Sequence, residues 1–264
     1  MLSTVAAAAL PRRDRVLISA CIALMTVLAW AYLVRLNRQM ASAVEYDKAM
    51  AAMGMTMHGP WTAADAFFMF AMWAVMMVGM MAVSAAPVFL LFAATQAGRG
   101  QRGVSPPVIA FAAGYFVVWT GFSAAATLAQ GALHQASLLS PAMAASSSRL
   151  GGIILLAAGV YQLTPWKGAC LAHCRGPLGF LMTHWRDGFT GAFQMGLHHG
   201  LHCLGCCWAL MALLFVVGVM NLVWIAVLTV FVLLEKISAH GRILSRVSGV
   251  GMLALGLYLA VAGR

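Results

Sequence analysis

Apolar residues recur along this chain in runs of roughly the 20 residues that cross a bilayer, separated by short stretches where basic and small polar residues gather. The runs cover residues 16–34, 64–94, 106–130, 149–164, 192–217, 221–235 and 246–262. They predict an all-α, polytopic membrane helix bundle of about seven spans, or six if one of the short fourth and sixth runs does not cross. Residues 1–264 read as a single integral membrane domain, since no polar stretch is long enough for a separate soluble one and no internal repeat is visible. Arg12, Arg13 and Arg15 precede the first run as they would in a secretory leader. That run continues through Trp30 and Tyr32 to Arg35 without a small-residue cleavage pattern, so it is expected to remain as the first helix.

Composition strengthens the membrane reading, with 63% hydrophobic and only 8% charged residues. The formal charge of +10 does not indicate nucleic acid, because the basic residues are dispersed among the connections in a positive-inside pattern. Arg12, Arg13, Arg15, Arg99, Arg102, Lys167, Arg175, Arg186, Lys236, Arg242 and Arg246 fall on one side of a seven-span topology. Arg35, Arg38, Lys48, Arg149 and Arg264 fall on the other. The expected location is therefore the bacterial inner membrane, with the N-terminus cytoplasmic, residues 36–63 as an outer loop and 165–191 as a cytoplasmic one. Cys170, Cys174, Cys203, Cys206 and Cys207 then lie toward the reducing compartment, where clustered thiols serve metals or catalysis more often than disulfides.

The densest chemistry is MGLHHGLHCLGCCWALM, residues 195–211. Advancing about 100° per residue places His198, His199, His202, Cys203 and Cys206 on one helical face, with Cys207 at its edge. Gly196, Gly200 and Gly205 leave room for a neighbouring segment. Imidazole and thiolate select copper, zinc or iron over magnesium or calcium, so this face is a candidate metal site. Isolated His or Cys residues in such helices are ordinarily packing or hydrogen-bonding groups. It is their concentration that favours a ligand role.

A second ligand-bearing stretch is YQLTPWKGACLAHCRGPLGFL, residues 161–181. Pro165 should end the fourth span, and within one helical turn Cys170, His173 and Cys174 would point the same way. They could join the fifth span's ligands in one cytoplasm-proximal site. In the outer loop, Met50, Met53, Met55, Met57 and His58 form a candidate Cu(I)-capture segment, because thioethers take soft metals. Met69, Met72, Met76 and Met80 make a stripe along the second span that reads first as packing. Pro87 should kink that span, Asn221 should cap the sixth, and Glu235 should pair with Lys236 or Arg242 at the interface.

Together, GVYQLTPWKGACLAHCRGPLGF, HGLHCLGCCWALM, FVVGVMNLVWIAVLTVFVLLEK and MWAVMMVGMMAVSAAP resemble a bacterial family of predicted metal-binding integral membrane proteins of unassigned function. The resemblance covers most of residues 64–260. It implies an inner-membrane bundle with a metal site at Cys170, Cys174, His199, Cys203, Cys206 and Cys207. The chain departs from the family pattern where Val83, rather than proline, precedes Ser84. The function expected from the ligands is handling or delivery of a soft transition metal, with copper favoured and zinc or iron compatible. The partners are the metal ion, the bilayer and, for delivery, a membrane or periplasmic protein. A membrane metalloenzyme and a thiol redox protein are the alternatives. The phosphorylation motif and nucleotide domain of a pump are not present in the sequence.

Overall fold

The computed structural model describes residues 10–53, 62–100, 106–139 and 143–262. Among them the ordered elements are helices: α1 Arg12–Ala52, α2 Ala63–Gly98, α3 Pro106–Gln135, α4 Ser148–Leu163, α5 Pro165–Arg175, α6 Pro177–Thr183, α7 Gly188–Ala212, α8 Leu214–Val217, α9 Leu222–Ile237 and α10 Gly241–Ala262. Each apolar run of the sequence lies within a helical region. Five helical stretches are long and apolar enough to cross a membrane, namely α1, α2, α3, α7 continued through α8, and α10. The helices of the fourth and sixth runs, α4 and α9, have only 16 residues each.

Helix boundaries follow local chemistry. Thr62 and Asp65 form a reciprocal capping box at the start of α2, which satisfies backbone donors that the first helical turn leaves free. Thr164 ends α4 and caps α5, whose first residue is Pro165, the position where proline's missing N–H costs nothing. Asn221 caps α9 by accepting from the Trp224 amide. One expectation changes: the connection expected from residue 36 starts later, because α1 continues to Ala52 through a sequence rich in Ala, the best helix former. Pro87 lies inside α2, which continues to Gly98.

α2 is the buried centre of the bundle. Met72, Met76, Met77, Met80 and Met81 are all nearly inaccessible there, with Trp73 and Phe92. The methionine stripe is thus packed core. Its N-terminal part is polar: Trp73 Nε1 donates to Gln130 Oε1 at 2.7 Å, and Gln130 Nε2 donates to the sulfurs of Met69 and Met143 at 3.4 and 3.1 Å.

Glycines set the helix crossings that place the ligand-bearing α7. A Cβ on Gly196 would collide with the Phe111 carbonyl of α3, and one on Gly114 would collide with the Phe193 carbonyl of α7. A Cβ on Gly200 would stand 2.9 Å from the Val118 side chain. The two backbones are therefore nearly in contact, the arrangement by which small residues let helices associate in an apolar solvent. α4 and α10 cross in the same way, with Gly152 against Gly256 and Gly159 against Gly249. Gly196→Ala is expected to destabilise the fold by at least the roughly 1–3 kcal/mol of an overpacked core. Gly121→Ala, where an added methyl meets nothing within 4 Å, should be nearly neutral. Unfolding of the two purified variants in detergent measures the contrast.

Candidate metal centre

The centre is built where α5 and α6 fold back against α7. Cys206 lies 18 residues into α7, or about 27 Å along it at 1.5 Å per residue. The thiols therefore meet in the C-terminal third of α7, where α5, capped by Thr164, runs back along it.

The Cys206 and Cys174 sulfurs are 3.9 Å apart. Cys170 occupies the space opened by Gly205, where a Cβ would come within 2.7 Å of the Cys170 sulfur. The Cys206 and Cys207 thiols donate to the Cys203 carbonyl at 3.1 and 2.9 Å. Cys203, beside the other thiols, also meets a cation and a hydroxyl. Its sulfur is 3.0 Å from Lys236 Nζ and 3.1 Å from the Tyr115 hydroxyl. Lys236 also donates to Ser84 Oγ at 2.9 Å. Cys203, Cys206 and Cys207 are buried, Cys170 and Cys174 half-buried, and none of the five forms a disulfide. Partial burial and the neighbouring Cys206 push the Cys170 thiol above its ordinary range.

The histidines separate from the thiols. His173 of α5 stacks on His202 of α7 with ring centroids 4.1 Å apart. His198 lies 4.6 Å from both His202 and His184, the residue that ends α6. Burial, His202 and His184 all push His173 down, toward the neutral imidazole whose lone pairs are available. His199 goes elsewhere, into an aromatic niche between Phe111, Tyr115 and Phe180, and its Nδ1 has no hydrogen-bond partner. The single helical face inferred from sequence is thus divided into a thiol group, an imidazole group and an aromatic-packed histidine. As the side chains stand, no three His, Cys, Asp or Glu residues among the described residues are arranged to hold a metal ion.

In the proposed outer segment, Met50 lies near the end of α1 and Met53 in an exposed turn. Met55, Met57 and His58 fall outside the described residues.

Sequence reasoning did not single out Tyr115, Lys236 or His184 as parts of the site. A lysine ending an apolar run ordinarily reads as a side chain reaching for the interface, and a single loop histidine carries no spacing signal. Glu235 also differs from expectation. It pairs with Lys167, at 2.8 and 2.9 Å through its two carboxylate oxygens, rather than with Lys236 or Arg242. Gln162 bridges both partners. The reason is angular: adjacent helical residues point about 100° apart, so when Glu235 faces α4 and α5, Lys236 faces α2 and α7.

A family model described as PpoB2, copper chaperone, matches residues 70–259, well over half of the chain, and supports a metal-related family. No curated protein and no solved structure matches the chain.

Lys167 and Glu235 are each only 1% exposed. Lys167→Met should leave the carboxylate buried without its cation and cost about 3–5 kcal/mol, whereas the joint change Lys167→Met with Glu235→Leu should recover most of that loss. Thermal unfolding of the single and double variants in detergent tests the pair.

Proposed function

The chain belongs to the copper chaperone family, and from that premise we propose that it binds Cu(I) through the thiols of α5 and α7 and passes it to a partner protein. The observation that carries this reading is the approach of Cys174 and Cys206 to 3.9 Å. Two sulfurs bound to one ion at about 2.3 Å lie about 4 Å apart when the angle at the metal is trigonal. A disulfide would need about 2.05 Å. Thiolate is among the softest ligands a protein offers, and Cu(I) among the softest of its common metals.

Charge balance supports Cu(I). Two thiolates and one Cu(I) leave a net charge of minus one, and an unpaired charge in an apolar interior is costly. The Lys236 ammonium, held beside Cys203 and Ser84, supplies the compensating charge. Glu235 is committed to Lys167 through both oxygens, which weighs against a metalloenzyme that uses it as a base.

The finer reading extends the resemblance to bacterial membrane proteins. In it, the chain sits in the inner membrane with a cytoplasmic N-terminus, and Met50, Met53, Met55, Met57 and His58 collect copper on the outer side. Replacing the four methionines by Leu preserves volume. It should lower copper capture in cells while leaving the fold and the thiol site intact. Copper-dependent growth together with bound copper per purified chain reports both effects, and unchanged values would remove the capture segment from the proposal.

Cys174→Ser and Cys206→Ser should each weaken Cu(I) binding severely. Lys236→Gln should weaken it by about 10- to 100-fold, the equivalent of one lost charge-assisted contact, and Lys236→Arg should restore much of it. Competition with a chromogenic Cu(I) chelator measures each variant. Affinity unchanged in both cysteine variants would overturn the thiol site.

A further inference from the structure

We propose a second copper site, made of imidazoles alone, in which His173, His184, His198 and His202 receive the ion before it reaches the thiols. This rests on the thiol reading above and adds His184 and an order of occupation. Four histidines from three elements meet here: His173 from α5, His184 from the end of α6, and His198 and His202 from successive turns of α7. Neighbouring ring centroids are 4.1 to 5.8 Å apart.

Their polar atoms are only partly committed. His202 Nδ1 is 2.8 Å from the His198 carbonyl, which leaves Nε2 for a ligand. His184 Nδ1 is held 2.8 Å from Thr183 Oγ1, which again leaves Nε2. His198 Nδ1 is buried with no hydrogen-bond partner at all, a costly state for a polar atom that a metal would relieve. A ligand histidine commonly has its other ring nitrogen fixed by a carbonyl or similar partner, and His202 meets that description.

The rings present faces to one another. His173 and His202 are stacked at 18°, so their in-plane lone pairs do not yet converge, and rotation about side-chain bonds must bring them together. Such rotations between staggered positions need no backbone change.

Position gives the order. All four imidazoles are half-buried, as is Cys174, whereas Cys206 beyond them is only 1% exposed. The two groups are also contiguous along both helices. His173 precedes Cys174, and His202 lies one turn before Cys206, whose sulfurs are the 3.9 Å pair. An ion leaving the stacked His173 and His202 therefore meets Cys174 and Cys206 next. Imidazole accepts copper but is harder than thiolate, so the affinity gradient runs inward. Copper remains Cu(I) through the transfer, and no electron is required.

The test has two arms, both on the full chain in detergent. In the first, Cys170, Cys174, Cys203, Cys206 and Cys207 are changed to Ser, and Cu(II) sulfate is added in a non-coordinating buffer as a spectroscopic probe of the imidazoles. Electron paramagnetic resonance should show nitrogen-coupled copper at about one equivalent. Adding His184→Ala should weaken it about tenfold or more. Copper without nitrogen coupling, no bound copper, or indifference to His184→Ala would each overturn the site. In the second, His184→Ala in the thiol-intact chain should slow the loading of the thiols by a larger factor than it lowers the final Cu(I) affinity. An unchanged loading rate, or an equal loss of final affinity, would overturn the order proposed. Far-ultraviolet circular dichroism and the unfolding midpoint of each variant, with His184→Gln as the conservative comparison, separate loss of ligand from loss of fold. Failure of the thiol reading is seen independently, as Cu(I) affinity that survives Cys174→Ser and Cys206→Ser.

Discussion

A lysine and a glutamate sealed inside an apolar bundle must face each other, and the position of α9 depends on this requirement. Neither side chain of the Lys167–Glu235 pair has access to water, and Gln162 and Ser248 extend the same network. The pair ties the end of α9 to the α4–α5 junction. Because Glu235 is turned toward that junction, the next residue is turned away from it, and Lys236 is delivered to Cys203. One electrostatic constraint thus fixes a helix and places a cation beside the deepest thiol.

The second constraint is steric. α7 carries its ligands on a helix that lies against α3 with little between the two backbones except glycine. This close approach brings Tyr115 of α3 to the Cys203 sulfur and puts His199 among aromatic rings. Gly205 acts on the other side by giving up its side-chain volume to Cys170. Glycines that read as simple spacers therefore decide which thiol meets which partner.

Within the thiol group Cys203, Cys206 and Cys207 are buried, whereas Cys170 and Cys174 are half-buried like the neighbouring imidazoles. The α2 methionines, which are soft as well, fill the bundle interior instead. Polar contacts reach two of these sulfurs, from Gln130 to Met69 and from Ser84 to Met81. A thioether is both a gap-filling apolar group and a soft ligand, and its burial among aromatic and aliphatic side chains expresses the first of these properties.

Hydrophobic run length fixed the all-α class, Pro165 marked the end of the fourth run and Asn221 a real helix start, because these signals act over a few residues. The grouping of Cys203 and Cys206 with Cys174 was also readable, since helical spacing and chain proximity are local properties. The short lengths of α4 and α9 were already legible as short runs, whereas the fold-back of α5 and α6 along α7 was set by the folded chain. So was the choice of Lys167 over Lys236 as the partner of Glu235. That choice follows from the direction in which a helix is turned, and only packing against other helices sets it. His184 joins the other imidazoles for the same reason: two short helices bring it back to α7, a proximity that no spacing in the sequence encodes.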